Sequence, residues 1–497
     1  MTNVATGFVS TANATPTATA VQSDDQKQTY SELHTAARRV ASLLIQRGIK
    51  PGDTVAIMLP NVAAFPALYY GILLAGGVAV PMNPLLKNRE VAYYLGDSGA
   101  KLVFVWHSVA QEAVAGALEA HSSVVEVDES FLGSISALPL AGVIDRADDD
   151  TAVILYTSGT TGHPKGAELT HFNLRNNADR FAQDWLKLTA DDVVLGCLPL
   201  FHTFGQTVSM NCTLFSGATL VLLTRFTGDL ALEAIEKEKV TIFAGVPTMY
   251  SAMIEAPGSD TADASTLRLC CSGGAALPLD TLTSFEDKFH AVIIEGYGLS
   301  ETSPVCCFNP PEGRRKIGSV GLPLEGVEMR VITDDGETLP PGELGEICVR
   351  GENVMKGYLG RPSATAEAFI DGWFRTGDIG KTDDDGYFYI VDRKKSLIIR
   401  GGYNVYPREV EEVLYEHPDI VEAAVIGIPH PTLGEEVGAA ITVRQGTTLD
   451  PADISAYVKA RLAAYKYPRQ VWAVDELPKG PTGKILRREV QPPVNAR

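Results

Sequence analysis

Residues 156–166 read YTSGTTGHPKG, a run of hydroxyl and glycine positions followed by a lysine set at a fixed distance by a His-Pro pair. Gly159 and Gly162 lack a Cβ and can take positive φ, so backbone N–H groups there can approach an anion closely. Thr157, Ser158, Thr160 and Thr161 add hydroxyl donors, and Lys165 adds a mobile charge on a long stem. These are the parts of a phosphate grip. Before it, the apolar run AVILYT (152–157) predicts a strand, with Asp148 to Asp150 turning the chain in front. After it, Leu174, Ala178, Phe181, Trp185 and Leu188 recur at spacings of four and three, which predicts an amphipathic helix. The expected unit is strand, phosphate loop, helix. It is not a Walker-type loop, because the lysine stands beyond Gly162 without the Gly-Lys junction and Gly166 occupies the place of the magnesium-binding hydroxyl.

The surrounding chain has 497 residues, more than the roughly 250–300 at which single cores stop growing, so more than one domain is expected. With 45% hydrophobic and 21% charged residues the composition is that of a globular protein. The formal charge of −19 argues against nucleic acid or an anionic membrane as main partner, and local basic clusters must hold any anionic substrate. The cysteines at 197, 212, 270, 271, 306, 307 and 348 lack metal-ligand spacing and read as buried free thiols of a reducing compartment. Residues 1–25 carry no Lys or Arg, so no secretory signal is expected there. The longest apolar run, around Tyr69 to Pro81, is interrupted by Gly71, Gly76 and Gly77 and is too short to span a bilayer. The terminal PVNAR matches no peroxisomal or prenylation signal, and a cytoplasmic protein with no integral membrane segment is expected.

Along the chain, Thr29 and Glu32 form a capping-box pattern opening a helix with Leu33, Ala37, Val40 and Leu44 on its apolar stripe and Gly48 at its stop. Helical patterns then alternate with apolar strands such as KLVFVW, ATLVLL, TIFAGVP and AVIIEGYG, which predicts parallel sheets covered on both faces. From about Gly321, alternation with Asp-Gly turns predicts a small antiparallel or barrel-like region. Past residue 395 the pattern is a small α+β unit. Pro407 opens one helix, and Asp450-Pro451 opens another through Ile454, Val458, Leu462 and Tyr465, stopped by Pro468.

The stretches YTSGTTGHPKGAELTH, PLFHTFG, SGGAALP, EGYGLSET, GWFRTGDIG, DRKKSLIIRGGYNVYPREVE and PTGKILRRE, in this order, resemble the adenylate-forming superfamily, specifically its acyl-CoA synthetases. The resemblance covers essentially the whole chain. It implies an α/β adenylation domain over 1–394, made of two helix-covered sheets plus the barrel-like region, and a mobile α+β domain over 395–497. It implies ATP, Mg2+ and coenzyme A as cofactors and co-substrates, small-molecule partners only, and a homodimer as one allowed assembly. The implied reaction joins a carboxylate to the α-phosphate of ATP, releases pyrophosphate, and passes the acyl group to the CoA thiol.

The roles below are those the resemblance implies, weighed against each side chain's chemistry. The opening loop (Thr157, Ser158, Gly159, Thr160, Thr161, Gly162, Lys165) would hold the β and γ phosphates. Glu301 would hold magnesium, as a hard carboxylate suits a hard cation, and Ser300 would touch the α-phosphate. Tyr297 would offer a face to adenine, with Gly274, Ala275 and Ala276 leaving room on its other side and Glu295, Gly296, Gly298 and Asn404 completing the nucleotide site. Asp378 would accept the ribose hydroxyls, joined by Arg393. Lys484 is the expected catalytic residue of adenylation, its ammonium offsetting repulsion between carboxylate and phosphate. His202 would line the passage from acid to nucleotide; no aspartate for a substrate ammonium stands in PLFHTFG, so the acid is expected to lack an α-amino group.

Lys395 falls at the hinge position, about which the small domain would turn to bring Arg400, Gly401, Gly402 and Tyr403 to the CoA path. The acid pocket is expected around His202, Phe204, Met210, Gly273, Val305 and Cys306, apolar and without a partner for a second carboxylate. A medium- or long-chain fatty acid is the first expectation and an aryl or cinnamoyl-type acid the second; Ile399, where coumarate-type relatives often carry a lysine, weakens the latter. Transfer to a carrier protein, luciferase-like light emission and a silent binding module are the rival readings.

Overall fold

In the computed structural model the described residues are 3–23, 26–157, 164–444, 446–447, 449–481 and 483–493. Two large sheets carry the first part of the chain. One has nine strands, and its parallel centre runs from Ile293–Gly298 through Leu269–Ser272, Ile242–Gly245, Val193–Gly196 and Thr219–Leu222 to Thr19–Ser23. The other has seven, parallel from Thr151–Thr157 to Ser123–Val127. The doubly covered parallel sheets expected from the alternating pattern are therefore present, with antiparallel strands confined to the edges.

Between the sheets lies a core that explains the apolar run near Tyr69. The helix Ala64–Leu74 is buried along its whole length, and the strand Val78–Pro81 follows it. Each such fully buried large apolar side chain contributes on the order of 1.5–3 kcal/mol. The helix crosses Tyr30–Gln46 so closely that a Cβ on Gly71 would come within 2.5 Å of Val40, so a glycine is needed at the crossing. Tyr30–Gln46 opens on the predicted capping box, Thr29 accepting from the Glu32 amide while Glu32 accepts from the Thr29 amide. All seven cysteines are buried free thiols. No helix among the described residues is long and apolar enough to cross a membrane.

The unit around the opening loop differs from strand, loop, helix. Thr151–Thr157 pairs antiparallel with a second strand, Lys165–Thr170, with Thr157 opposite Lys165. The helix starts only at His171, where Thr170 and Asn173 form a reciprocal cap. The chain on either side of the loop motif is therefore strand, and Lys165–Thr170 lies between Thr151–Thr157 and Gly357–Tyr358, paired antiparallel with both. Beyond Arg180 the helix widens into one π turn, Phe181–Trp185.

The region from Val327 to Arg393 forms the antiparallel five-stranded sheet expected from its turns. Its last strand, Phe388–Arg393, ends immediately before the change to a separate sheet that begins at Ile398–Arg400. This second small sheet carries Pro407–Tyr415 and Pro451–Lys459 as its helices. The latter helix stops short of the expected Tyr465, since Arg461 and Leu462 both turn their amides back onto the Val458 carbonyl.

Candidate active site

A cavity of about 1070 Å³ lies where the two large sheets, the antiparallel sheet and the small C-terminal unit meet. Its walls come from loops at strand ends, where ligands of open parallel sheets bind.

At one end, Glu301 sits in a short 3-10 turn, 8% exposed, with Oε1 accepting from Thr157 Oγ1 at 3.1 Å and from the Tyr358 hydroxyl at 3.0 Å. The Lys165 ammonium stands 5.2 Å from the centre of the Tyr358 ring. Thr157, Lys165, Glu301 and Ser300 thus line one wall, while Ser158, Gly159, Thr160, Thr161 and Gly162 lie outside the described residues. Next to Lys165 in the chain, the Pro164 carbonyl accepts from the Tyr93 hydroxyl at 2.7 Å, and Arg361 bridges Tyr93 and Asp97. No group of three His, Cys, Asp or Glu side chains gathers as a metal cage among the described residues. One buried carboxylate whose two bonds both fall on Oε1 fits a magnesium ion that takes its other ligands from phosphate and water.

On the nucleotide side, the Tyr297 hydroxyl donates to Asp378 Oδ2 at 2.5 Å, and Arg393 Nε pairs with Asp378 Oδ1 at 2.6 Å. Burial raises the Asp378 carboxyl above its usual range, with Arg393 and then Tyr297 opposing. Arg393 keeps half its side chain exposed and so remains able to meet a ligand. Gly274, Gly296 and Gly298 line the cavity with Tyr297. Glu295 does not: it lies one pleat deeper on the same strand, 3% exposed, accepting from the Leu277 amide, and burial pushes its carboxyl up to about 7. Ala275 and Ala276 are half-buried beside the cavity without lining it. Asn404, expected at the nucleotide, is exposed on the strand Tyr403–Val405 opposite Ile399, away from the cavity.

Lys484 reaches the cavity from the C-terminal unit on a tight loop in which Gly480 donates to the Lys484 carbonyl at 2.8 Å. Gly483 in that loop has φ +78° and takes a hydrogen bond on its carbonyl from Thr248 at 3.1 Å. Burial, then the Arg393 charge, lowers the Lys484 ammonium below its ordinary range. His202 also faces the cavity; burial and the Lys484 charge hold its ring at about 4, so it is neutral and accepts the Phe204 amide on Nδ1 at 3.3 Å. Lys484, Arg393 and His202, from three distant stretches of chain, therefore line one cavity, with Asp378 held beside Arg393 on the neighbouring strand.

The remaining wall near His202 is built by Leu198, Phe204, Val246, Gly273 and Val305. Two expected pocket residues are not part of it. Met210 is fully buried in the central core, on the π-helical segment Gly205–Asn211. Cys306 follows Val305 on a strand, so it takes the opposite face, where Asn353 contacts its sulfur.

The whole chain matches known proteins. Residues 8–359 match the model of the AMP-binding enzyme family, and residues 409–484 match that of the AMP-binding enzyme C-terminal domain. The chain belongs to this family. Feruloyl-CoA synthase of an Amycolatopsis species is 40% identical over 97% of this chain and 96% of its own. Long-chain-fatty-acid–CoA ligase of Bacillus subtilis (strain 168) is 37% identical over 96% and 91%. The crystal structure of ATP-bound MatB from Rhodopseudomonas palustris superposes with a TM-score of 0.92 at 36% identity, covering 98% of this chain and 97% of that one. The chain is thus an adenylate-forming acyl-CoA synthetase, a superfamily of acid–thiol ligases.

As a family member it shows the arrangement in which the lysine loop faces the cavity. The segment Arg400 to Tyr403 lies elsewhere: Arg400 pairs with Glu436, Gly401 and Gly402 turn at φ +57° and +84°, and Tyr403 stacks at 4.7 Å on Tyr465 at the surface. Lys395 lines the cavity rim. Tyr358, Val246 and Thr248 were not legible as site residues. Their only sequence signal is proximity to turns, and each is brought in by strand order or domain contact.

Proposed function

We propose that this protein activates a monocarboxylic acid with an apolar body as its acyl-adenylate and transfers it to coenzyme A, with the aryl or cinnamoyl class as the favoured acid. The observation that carries the reading is that Lys484, Arg393, His202 and Glu301 line one cavity, with Asp378 paired to Arg393 behind it. Arg393 and Asp378 grip the ribose. Lys165 and the Thr157 hydroxyl meet the departing pyrophosphate. The Lys484 ammonium lies between carboxylate and α-phosphate, where it neutralises two anions that must approach each other. Magnesium, held through Glu301, would spread the charge of the phosphates. Rotation of residues 395–497 about Lys395 would then withdraw Lys484 and present Gly401 and Gly402 to the pantetheine arm.

The acid class rests on the wall near His202. Of the lining residues on that wall, 198, 199, 201–204, 246, 273 and 305, only His202 and Thr203 are polar, so a second carboxylate has no cation to meet on it. The Phe204 ring comes within 3.2 Å of where a Cβ on Gly273 would stand, closing the floor with a flat surface. That flat apolar face suits a planar ring laid against it. The identity to feruloyl-CoA synthase supports the same choice. A fatty acid is the second reading, supported by the apolar character of the wall and by the Bacillus relative. A panel of ferulate, benzoate, octanoate, dodecanoate and malonate, scored for CoA-dependent AMP release, tests both. Malonate as best substrate would refute the apolar pocket, and release of ADP would refute adenylation.

A further inference from the structure

We propose that Asp392 is a positioning residue for adenylation, a carboxylate that locks the Lys484 loop onto the large domain and must release it before the thioester step. The inference rests on the two-step reading above.

Asp392 belongs to the strand Phe388–Arg393, which pairs with Trp373–Thr382 and so moves with the large domain. Its side chain is 1% exposed. Both of its oxygens nevertheless bind groups from beyond the hinge. Oδ1 accepts from Arg487 Nη1 at 2.9 Å, and Oδ2 accepts from the backbone N–H of Arg408 at 2.9 Å. Arg408 is the second residue of the helix Pro407–Tyr415, whose own N-cap residue, Tyr406, makes no side-chain cap. The helix therefore takes its capping carboxylate from the other domain, where the negative charge also meets the positive end of the helix dipole. Arg408 adds a further bond from Nη1 to the Ile390 carbonyl.

Arg487 ties this cap to the catalytic loop. It stands three residues after Lys484, at the start of the turn Arg487–Glu489, and its other edge pairs with Glu411 of the same helix. Glu411 is itself fixed by the Val425 amide at 2.8 Å. Within the small domain, then, Arg487, Glu411 and the helix move as one body. Their bonds to Asp392 and Ile390 cross to the large domain, as does the Thr248 bond to Gly483. A rotation at Lys395 breaks those and leaves the Arg487–Glu411 pair intact. That asymmetry makes Asp392 selective for one of the two arrangements. It also makes the residue safe to alter, since Arg487 keeps a carboxylate partner when Asp392 is neutral.

The test compares Asp392→Asn with the unaltered protein in two assays, acid-dependent ATP–pyrophosphate exchange and conversion of supplied acyl-adenylate plus CoA to thioester, with ferulate and dodecanoate each used as the acid. The expected result is exchange lowered about tenfold with thioester formation unchanged or faster. Arg487→Lys, which keeps one bond to Asp392, should recover most of the exchange that Arg487→Ala loses. Equal losses in both assays at an unchanged melting temperature, or no loss in either, would overturn the assignment. Absence of exchange from the unaltered protein with both acids would overturn the acid classes proposed above and leave the Asp392 assignment to be read with whichever acid of the panel supports exchange, so the two failures are distinguishable.

Discussion

Tyr358 donates its hydroxyl hydrogen to Oε1 of Glu301 at 3.0 Å, although 57 residues separate them in the chain. With both bonds on Oε1, the carboxylate is held in one direction and Oε2 keeps its acceptor capacity for a cation. A hydrogen bond to a charged acceptor contributes about 1.5–3 kcal/mol. Tyr358→Phe should therefore raise the magnesium concentration needed for half-maximal adenylation and lower its rate about tenfold. Titration of magnesium in the pyrophosphate-exchange assay checks this; an unchanged midpoint would mean that Tyr358 only packs.

Lys484→Ala should lower adenylation by about 10²–10³-fold, the loss typical of one preorganised charge at a developing anionic centre. Conversion of supplied acyl-adenylate to thioester should persist. In the unaltered protein, adenylation should fall as pH rises through a lysine value lying below the ordinary 10.5, because the ammonium is the working form. Unchanged exchange in the alanine variant would remove Lys484 from the mechanism.

Gly402 has φ +84° and nothing within 4 Å of the position of a Cβ, so in this arrangement the first atom of a side chain meets open space and the backbone conformation is what a substitution strains. Gly402→Leu should spare adenylation and block thioester formation, where the segment would wall the pantetheine path. Gly402→Ala separates this from backbone strain, which costs about 1–2 kcal/mol in the left-handed region. Loss of both half-reactions in both variants would indicate misfolding.

His171 is fully buried, accepts the Val4 amide on Nδ1 at 3.0 Å, and is held neutral down to about 4, chiefly by burial. The unfolded chain takes up a proton near 6.5 that the folded one refuses. Stability should thus be full above about 6.5, decline as pH falls toward 4, and level off below. Within that window the loss is at most about 1.4 kcal/mol for each tenfold rise in proton concentration. Thermal melts at stepped pH check the slope. His171→Asn should be less stable at neutral pH yet flatter across that window.

The sequence by itself determined the local elements and the family. Periodicity marked the helices, the Thr29–Glu32 pair marked a cap, and ordered motifs around Glu301, Asp378 and Lys484 marked an adenylating enzyme, since each depends on residues within a turn or two of one another. Only the tertiary structure decided the rest. Met210 faces the core, Cys306 the back of its strand and Glu295 the depth behind Tyr297, because side chains near a strand or turn alternate between cavity and interior and the motif does not say which face is which. A strand and not a helix follows the loop motif because Lys165–Thr170 finds backbone partners in both Thr151–Thr157 and Gly357–Tyr358. Tyr358 beside Glu301 and Asp392 beneath Arg408 and Arg487 arise from sheet order and domain docking, which sum weak contacts across the whole chain and leave no local pattern to read.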